Sequence, residues 1–248
     1  MSRDSASAGR GVDRRHFVAA AGAAGFAGAL PAGAPALAQH GGHGAAPARA
    51  AASPPPAGYV FFMPPEARFV EAAVDVFIPH DDVGPGGVEA GVPAFIDRQL
   101  AGAFGRGAGL YLQGPFADGA PTQGYQLPLT PAEFYRAAIR EIDELCRREH
   151  DGKRFDELPA ATRDAVLLAL REGRAALATL PGATFVALLL QNAIEGYFAD
   201  PIYGGNRDMG AWRMIGFPGV GGMYATAIEE HRNAPMAVEF RSIADMQR

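Results

Sequence analysis

Between Thr130 and His150 the chain has almost no option but to be a helix. Thr130 can accept from a first-turn backbone N–H, Pro131 follows where no amide donor is needed, and Glu133 stands three past the cap to return the bond. Leu129 and Phe134 bracket this start in staple positions. Phe134, Ala138, Ile142 and Leu145 then recur at intervals of three and four, which puts them on one face of a helix. The same grammar repeats along the chain. Pro64-Pro65 lead into Phe69, Ala72, Ala73, Val76 and Phe77, and Pro79 stops that run. Pro93 opens a helix predicted over 92–104, with Phe95, Ile96 and Leu100 inward. Pro159 opens another that reaches about Glu172, with Val166, Leu167 and Leu170 inside and Gly173 suited to end it. After the Pro181-Gly182 turn, the run FVALLLQNAIEGYF reads as the most buried helix. No stretch alternates with period two, so the expected fold is all-α: a compact helical domain over 59–248 with long ordered loops.

The connections carry their own signals. His80 to Gly87 is turn-rich, and its three consecutive ligand-type residues cannot easily converge on one ion, so it reads as a solvated loop. Gly105 to Gln126 holds Tyr111, Phe116 and Tyr125 among glycines and prolines, the character of an ordered loop at a contact. Asn206 is placed to cap a short helix holding Met209, Trp212 and Ile215. Past Met223 the pattern weakens to one helical piece around Ala225 to His231.

The N-terminal end is of another kind. Arg14-Arg15-His16-Phe17 introduces a soft run of Ala and Gly that reaches Leu30, and Ala36-Leu37-Ala38 supplies a small-residue cleavage site. The apolar run is too short for a membrane anchor. Arg14, Arg15 and Phe17 match a twin-arginine signal, with Asp13 and Ala19 departing from its usual residues; a general secretory signal is the other reading. Residues 39–58 are Ala, Gly, Pro and Ser, a composition for a flexible linker, with His40 and His43 forming no preorganised metal site. Residues 1–38 hold four of the 22 basic and two of the 27 acidic residues, so cleavage after Ala38 takes the net charge from −5 to −7. That sign argues against nucleic acid as a partner.

Motifs for cofactor chemistry are missing. The chain has no GxGxxG after a strand, no CxxCH, no GxSxG and no HExxH, and its one cysteine cannot hold an iron–sulfur cluster. Cys146 falls within an apolar helical pattern, as a buried inert thiol would, with an intermolecular bridge as the other reading. The acid pairs Glu71/Asp75 and Glu141/Glu144 read as solvated helix faces. No catalytic, cofactor-binding or metal-binding residue is therefore assigned.

Specificity concentrates instead between Asn192 and Gly219, where five aromatic residues, arginines, carboxylates and glycines share one short segment with the chain's only Trp. Large amphipathic side chains of this kind concentrate energy at interfaces. Tyr203, Asn206, Arg207, Asp208, Trp212 and Arg213 are the candidate partner contacts, with Gly204 and Gly205 giving the backbone freedom to turn. The competing reading makes Trp212 a core residue and pairs Arg207 with Asp208 or Asp200.

The run FADPIYGGNRDMGAWRMIGFPG, together with FFMPPEARFVEAAVDVFIP, GVPAFIDRQLAGAFG, QGPFADG and YQLPLTPAEFYRAAI, resembles the gluconate 2-dehydrogenase subunit 3 family from Val60 to Gly219. These are small subunits of flavin-dependent, membrane-associated sugar and polyol dehydrogenases. The resemblance implies a non-catalytic accessory subunit with no cofactor of its own. Its large partner would bind FAD and oxidise the substrate, and a multihaem cytochrome c subunit, where present, would pass electrons on. The small subunit would carry the twin-arginine signal to the export machinery and take the folded partner into the periplasm, where the complex sits on the cytoplasmic membrane. Two other functions fit the residues: a free periplasmic sugar-binding module, and a sugar oxidoreductase in its own right.

Overall fold

Helices begin where the prolines announce them. A computed structural model describes residues 58–248 except 118, 121–122, 124, 222–223, 237–238 and 248. The segment expected to be an export signal, with Arg14, Arg15, Phe17, Ala36 and Ala38, and the expected linker up to residue 57 lie outside the described residues. Helix α1 spans Pro64–Phe77, α2 Val92–Ala101, α3 Pro131–Glu149, α4 Ala160–Arg171 and α5 Gly182–Phe198; the short α6 is Gly210–Ile215 and α7 is Tyr224–Glu230. The described residues contain no strand, only an isolated parallel bridge between Gly219 and Arg241.

The start of α3 forms the reciprocal cap. The Thr130 amide donates to the Glu133 carboxylate at 2.8 Å, and the Glu133 amide donates to Thr130 Oγ1 at 3.3 Å. These bonds hold the Glu133 carboxyl below its ordinary range. At α1, Pro64 and Pro65 remove two first-turn donors, and Glu66 accepts the Met63 amide at 2.8 Å. Helix α2 ends earlier than expected, at Ala101. A Cβ at Gly105 would collide with the Leu100 carbonyl, so the chain there turns in a way that only glycine permits.

The core is aromatic and centred on Phe185 of α5. Its ring lies 5.3 Å from Tyr135, 5.7 Å from Phe134 and 6.3 Å from Phe69, which in turn stacks 4.6 Å from Phe155. All five rings are fully buried. The Tyr135 hydroxyl accepts from Asn192 Nδ2 at 2.8 Å, which satisfies the one polar atom placed in this cluster. Burial drives that phenol far above its ordinary pKa. Helix α5 packs against α1, α2, α3, α4 and α6, most extensively against α2 and α4. It is nonetheless not the most buried helix. Ile194 and Phe198 point outward, 39% exposed each, because all of its neighbours sit on the other side. Helix α2 is enclosed more fully, with seven of its ten residues buried.

Side-chain carboxylates on the helices hold the long loops in place. Asp97 of α2, 2% exposed, accepts the amides of Val60, Phe61 and Phe62 at 2.8, 2.9 and 2.8 Å, and so fixes where the chain joins the fold. Arg136 of α3 closes over the same segment. It donates to the Phe61 carbonyl at 2.8 Å and lies 4.3 Å above the Phe61 ring. Glu141 is not on a solvated face as the sequence suggested. It is buried and accepts the Thr179 amide at 3.1 Å and the Thr179 hydroxyl, anchoring the loop before α5. Glu71, its counterpart in the other acid pair, is half-buried and accepts the Tyr59 hydroxyl at 2.5 Å. Asp143 accepts the Phe155 amide at 3.1 Å. Cys146 is a free, fully buried thiol, and burial pushes its pKa up to about 12.

Candidate partner-docking surface

The stretch from Asn192 to Gly219 leaves α5 and folds into three tight turns held by its own polar side chains. Asp200 caps the 3₁₀ turn Pro201–Tyr203, accepting the Ile202 amide at 3.0 Å. Gly204 follows with φ +100°, and a Cβ on Gly205 would fall on the Gly196 carbonyl, so both glycines are required by close approach. Asn206, Asp208 and Met209 then adopt left-handed backbone at φ 44°, 57° and 56°. Three such residues within four positions are uncommon outside functional segments and persist only where the surroundings over-determine them. The surroundings here are polar. Asn206 Nδ2 donates to the Ala199 carbonyl at 2.9 Å, its Oδ1 accepts the Ala211 amide at 2.9 Å, and the Arg207 amide donates to the Ala90 carbonyl at 2.9 Å.

The six candidate contacts divide by exposure. Asn206 is fully buried and accepts the Ala211 amide in the first turn of α6, but the cap position of that helix is Met209, not Asn206 as the sequence suggested, because the 3₁₀ turn Arg207–Met209 intervenes. Trp212 is 5% exposed; its indole N–H donates to the Phe198 carbonyl at 2.8 Å, and its ring lies 5.2 Å from Phe217. Both residues build the surface from beneath. Tyr203, half exposed, and Asp208 and Arg213 face solvent, with Arg207 partly covered. Arg207 pairs with neither Asp208 nor Asp200. Asp200 instead receives the Ile243 amide at 2.8 Å from the tail. Arg213 Nε donates to the Asp208 carbonyl at 3.2 Å, and its guanidinium stacks 4.7 Å from the Phe240 ring.

Two features of this region had no signal in the sequence. The tail returns to it: Val220 N–H donates to the Arg241 carbonyl at 3.1 Å and Arg241 N–H to the Pro218 carbonyl at 3.0 Å. Helix α2 also contributes, because the guanidinium of Arg98 lies against Gly204. Around these turns stand exposed apolar side chains: Ile194 and Phe198 one helical turn apart on α5, then Ile202, Tyr203, Ile215 and Phe217. Six of the fifteen large exposed hydrophobics of the described residues thus fall within 24 positions of sequence. These exposed side chains and the candidate contacts thus share one segment of the chain.

Among the described residues no group of three His, Cys, Asp or Glu could hold a metal ion. At the turn-rich loop, His80 Nδ1 meets Glu89 at 2.9 Å, and Asp81 accepts the amides of Val83 and Gly84 at 3.0 and 3.1 Å. Among the described residues no helix is long and apolar enough to cross a membrane.

No curated protein and no solved structure matches the chain. Gluconate 2-dehydrogenase subunit 3 matches residues 64–219, from the first residue of α1 to the glycine beneath Trp212, and so covers all five long helices and the turns that carry the candidate contacts. By that match, which spans more than half of its length, the chain belongs to the gluconate 2-dehydrogenase subunit 3 family.

Proposed function

We propose that this chain is the non-catalytic small subunit of a periplasmic, membrane-associated, FAD-dependent dehydrogenase of the gluconate 2-dehydrogenase kind. In this reading it assists maturation of the flavoprotein subunit and takes it through the twin-arginine pathway. The observation that carries the proposal is the family match over 64–219. The cluster of exposed apolar side chains around Tyr203 supports it, since an accessory subunit needs a face for its partner. FAD belongs to that partner, and a multihaem cytochrome c, where the complex has one, is a further neighbour.

Arg14, Arg15 and Phe17 address the export machinery, and cleavage follows Ala38. Arg14→Lys with Arg15→Lys, in cells that express both subunits, should leave both in the cytoplasm. Immunoblots of periplasmic and cytoplasmic fractions read this directly. A flavoprotein that still reaches the periplasm beside the double variant defeats the carrier role. Turnover by the purified mature chain with added FAD and a dye acceptor defeats the non-catalytic one.

A further inference from the structure

Two arginines from different elements converge on one glycine contact. Arg98 comes from α2 and lies against Gly204; Arg207 comes from the turn after Asn206, and its Nη2 is 3.5 Å from where a Cβ on Gly91 would stand. Gly91 and Gly204 face each other so closely that the same Cβ would lie 2.6 Å from the Gly204 carbonyl, and both glycines have positive φ. Arg98 is exposed, Arg207 half-buried, and neither has a carboxylate within 4.0 Å among the described residues. The carboxylates nearby are committed elsewhere: Asp97 holds three backbone amides, and Glu71 accepts the Tyr59 hydroxyl. Arg68, Arg136 and Arg154, by contrast, each meet an acid of this chain. Beside the pair stand exposed Ile202 and Tyr203.

We propose that Arg98 and Arg207 form the receiving site for a carboxylate of the flavoprotein subunit, an Asp or Glu carried next to apolar side chains that cover Ile202 and Tyr203. This rests on the accessory-subunit reading. The argument is charge complementarity. A guanidinium presents paired donors that fit a carboxylate, and a carboxylate fixed by two guanidiniums on an apolar border is shielded from water when the partner docks. In a chain of net charge −5, a cationic spot of this kind selects one docking register, because acidic surface elsewhere repels an acidic segment.

The full mature chain and its flavoprotein supply the test. Arg98→Glu with Arg207→Glu should weaken the complex at least about a hundredfold, and each Ala variant about tenfold, with the wild-type affinity falling as salt rises. Arg140→Glu with Arg148→Glu, the same charge change at exposed positions of α3, should shift affinity less than about twofold. Thermal unfolding of each variant separates loss of binding from loss of fold; if the Glu pair unfolds, the Gln pair replaces it. A carboxylate-to-Lys change on the flavoprotein that restores binding to the Glu pair identifies the missing partner. Wild-type affinity in the charge-reversed chain overturns the proposal and leaves the accessory reading intact. Absence of any complex with the unchanged chain overturns both. Saturable binding of free gluconate that requires Arg98 overturns the partner assignment in favour of a small acid.

Discussion

Asp97 holds three backbone amides on one carboxylate, and no feature of the sequence distinguishes it from a solvated aspartate in an amphipathic helix. Removing it should cost about 2–3 kcal/mol in Asp97→Ala, because a charge-assisted acceptor disappears and the buried Phe62 amide, with two part-buried ones, loses its partner. Asp97→Asn keeps one oxygen and should lose less; urea unfolding of the two variants orders them. Trp212 sits at the opposite limit of legibility. Its rarity marked it as special, but residue type alone could not separate core from interface. The structure buries the ring and engages the indole N–H, so Trp212→Ala should cost about 3–5 kcal/mol of the isolated chain's own stability, read by thermal unfolding. Exposed Tyr203 is the contrasting case. Tyr203→Ala should leave the isolated fold within about 0.5 kcal/mol of wild type while weakening the complex.

At the scale of elements, helix starts were readable and helix environments were not. A cap and a proline act on neighbours three residues away, so Thr130–Glu133 declares itself in any string of residues. Burial depends on what arrives from far along the chain, which is why Glu141 passed for a surface residue and α5 for the most enclosed helix. Gly196 shows the same effect inside a helix. A Cβ there would lie 2.7 Å from the Phe95 ring of α2, which is itself buried. Gly196→Ala gains about 1 kcal/mol of helix propensity and loses about 1–3 kcal/mol to overpacking, so a net loss is expected by chemical denaturation. Glu141 adds a pH signature. Burial raises its carboxyl, but the Thr179 hydroxyl and amide and the amides of Leu180 and Ala178 outweigh this and hold it below the ordinary 4.5. A depressed carboxylate stabilises the fold above its unfolded pKa, and that contribution is lost as acid protonates it in the native state. Stability measured from neutral pH downward should therefore fall below about pH 4.5, and Glu141→Gln should be weaker at neutral pH with a shallower acid slope.

For the molecule as a whole, the family match ends at Gly219 and the tail beyond it folds back onto the matched part. Among the described residues the bonds that hold it include Asp200–Ile243, the pair around Gly219, and Phe240 under Arg213. Truncation after Ala234 should leave a folded chain destabilised by no more than about 2–3 kcal/mol, and faster amide exchange near Gly219 should report it. The other end of the domain is held in a way that has a different outcome. Asp97 grips main-chain amides, groups that nineteen of the twenty amino acids share. At Val60, a residue 72% exposed, the clamp is therefore indifferent to identity and excludes only proline, which has no N–H to offer. Selection at the junction falls instead to its neighbours, Phe61 beneath Arg136 and the buried Phe62. A segment of unrelated composition spliced ahead of Tyr59 leaves every one of these bonds in place, so the folded part should unfold at the same temperature as the wild-type chain.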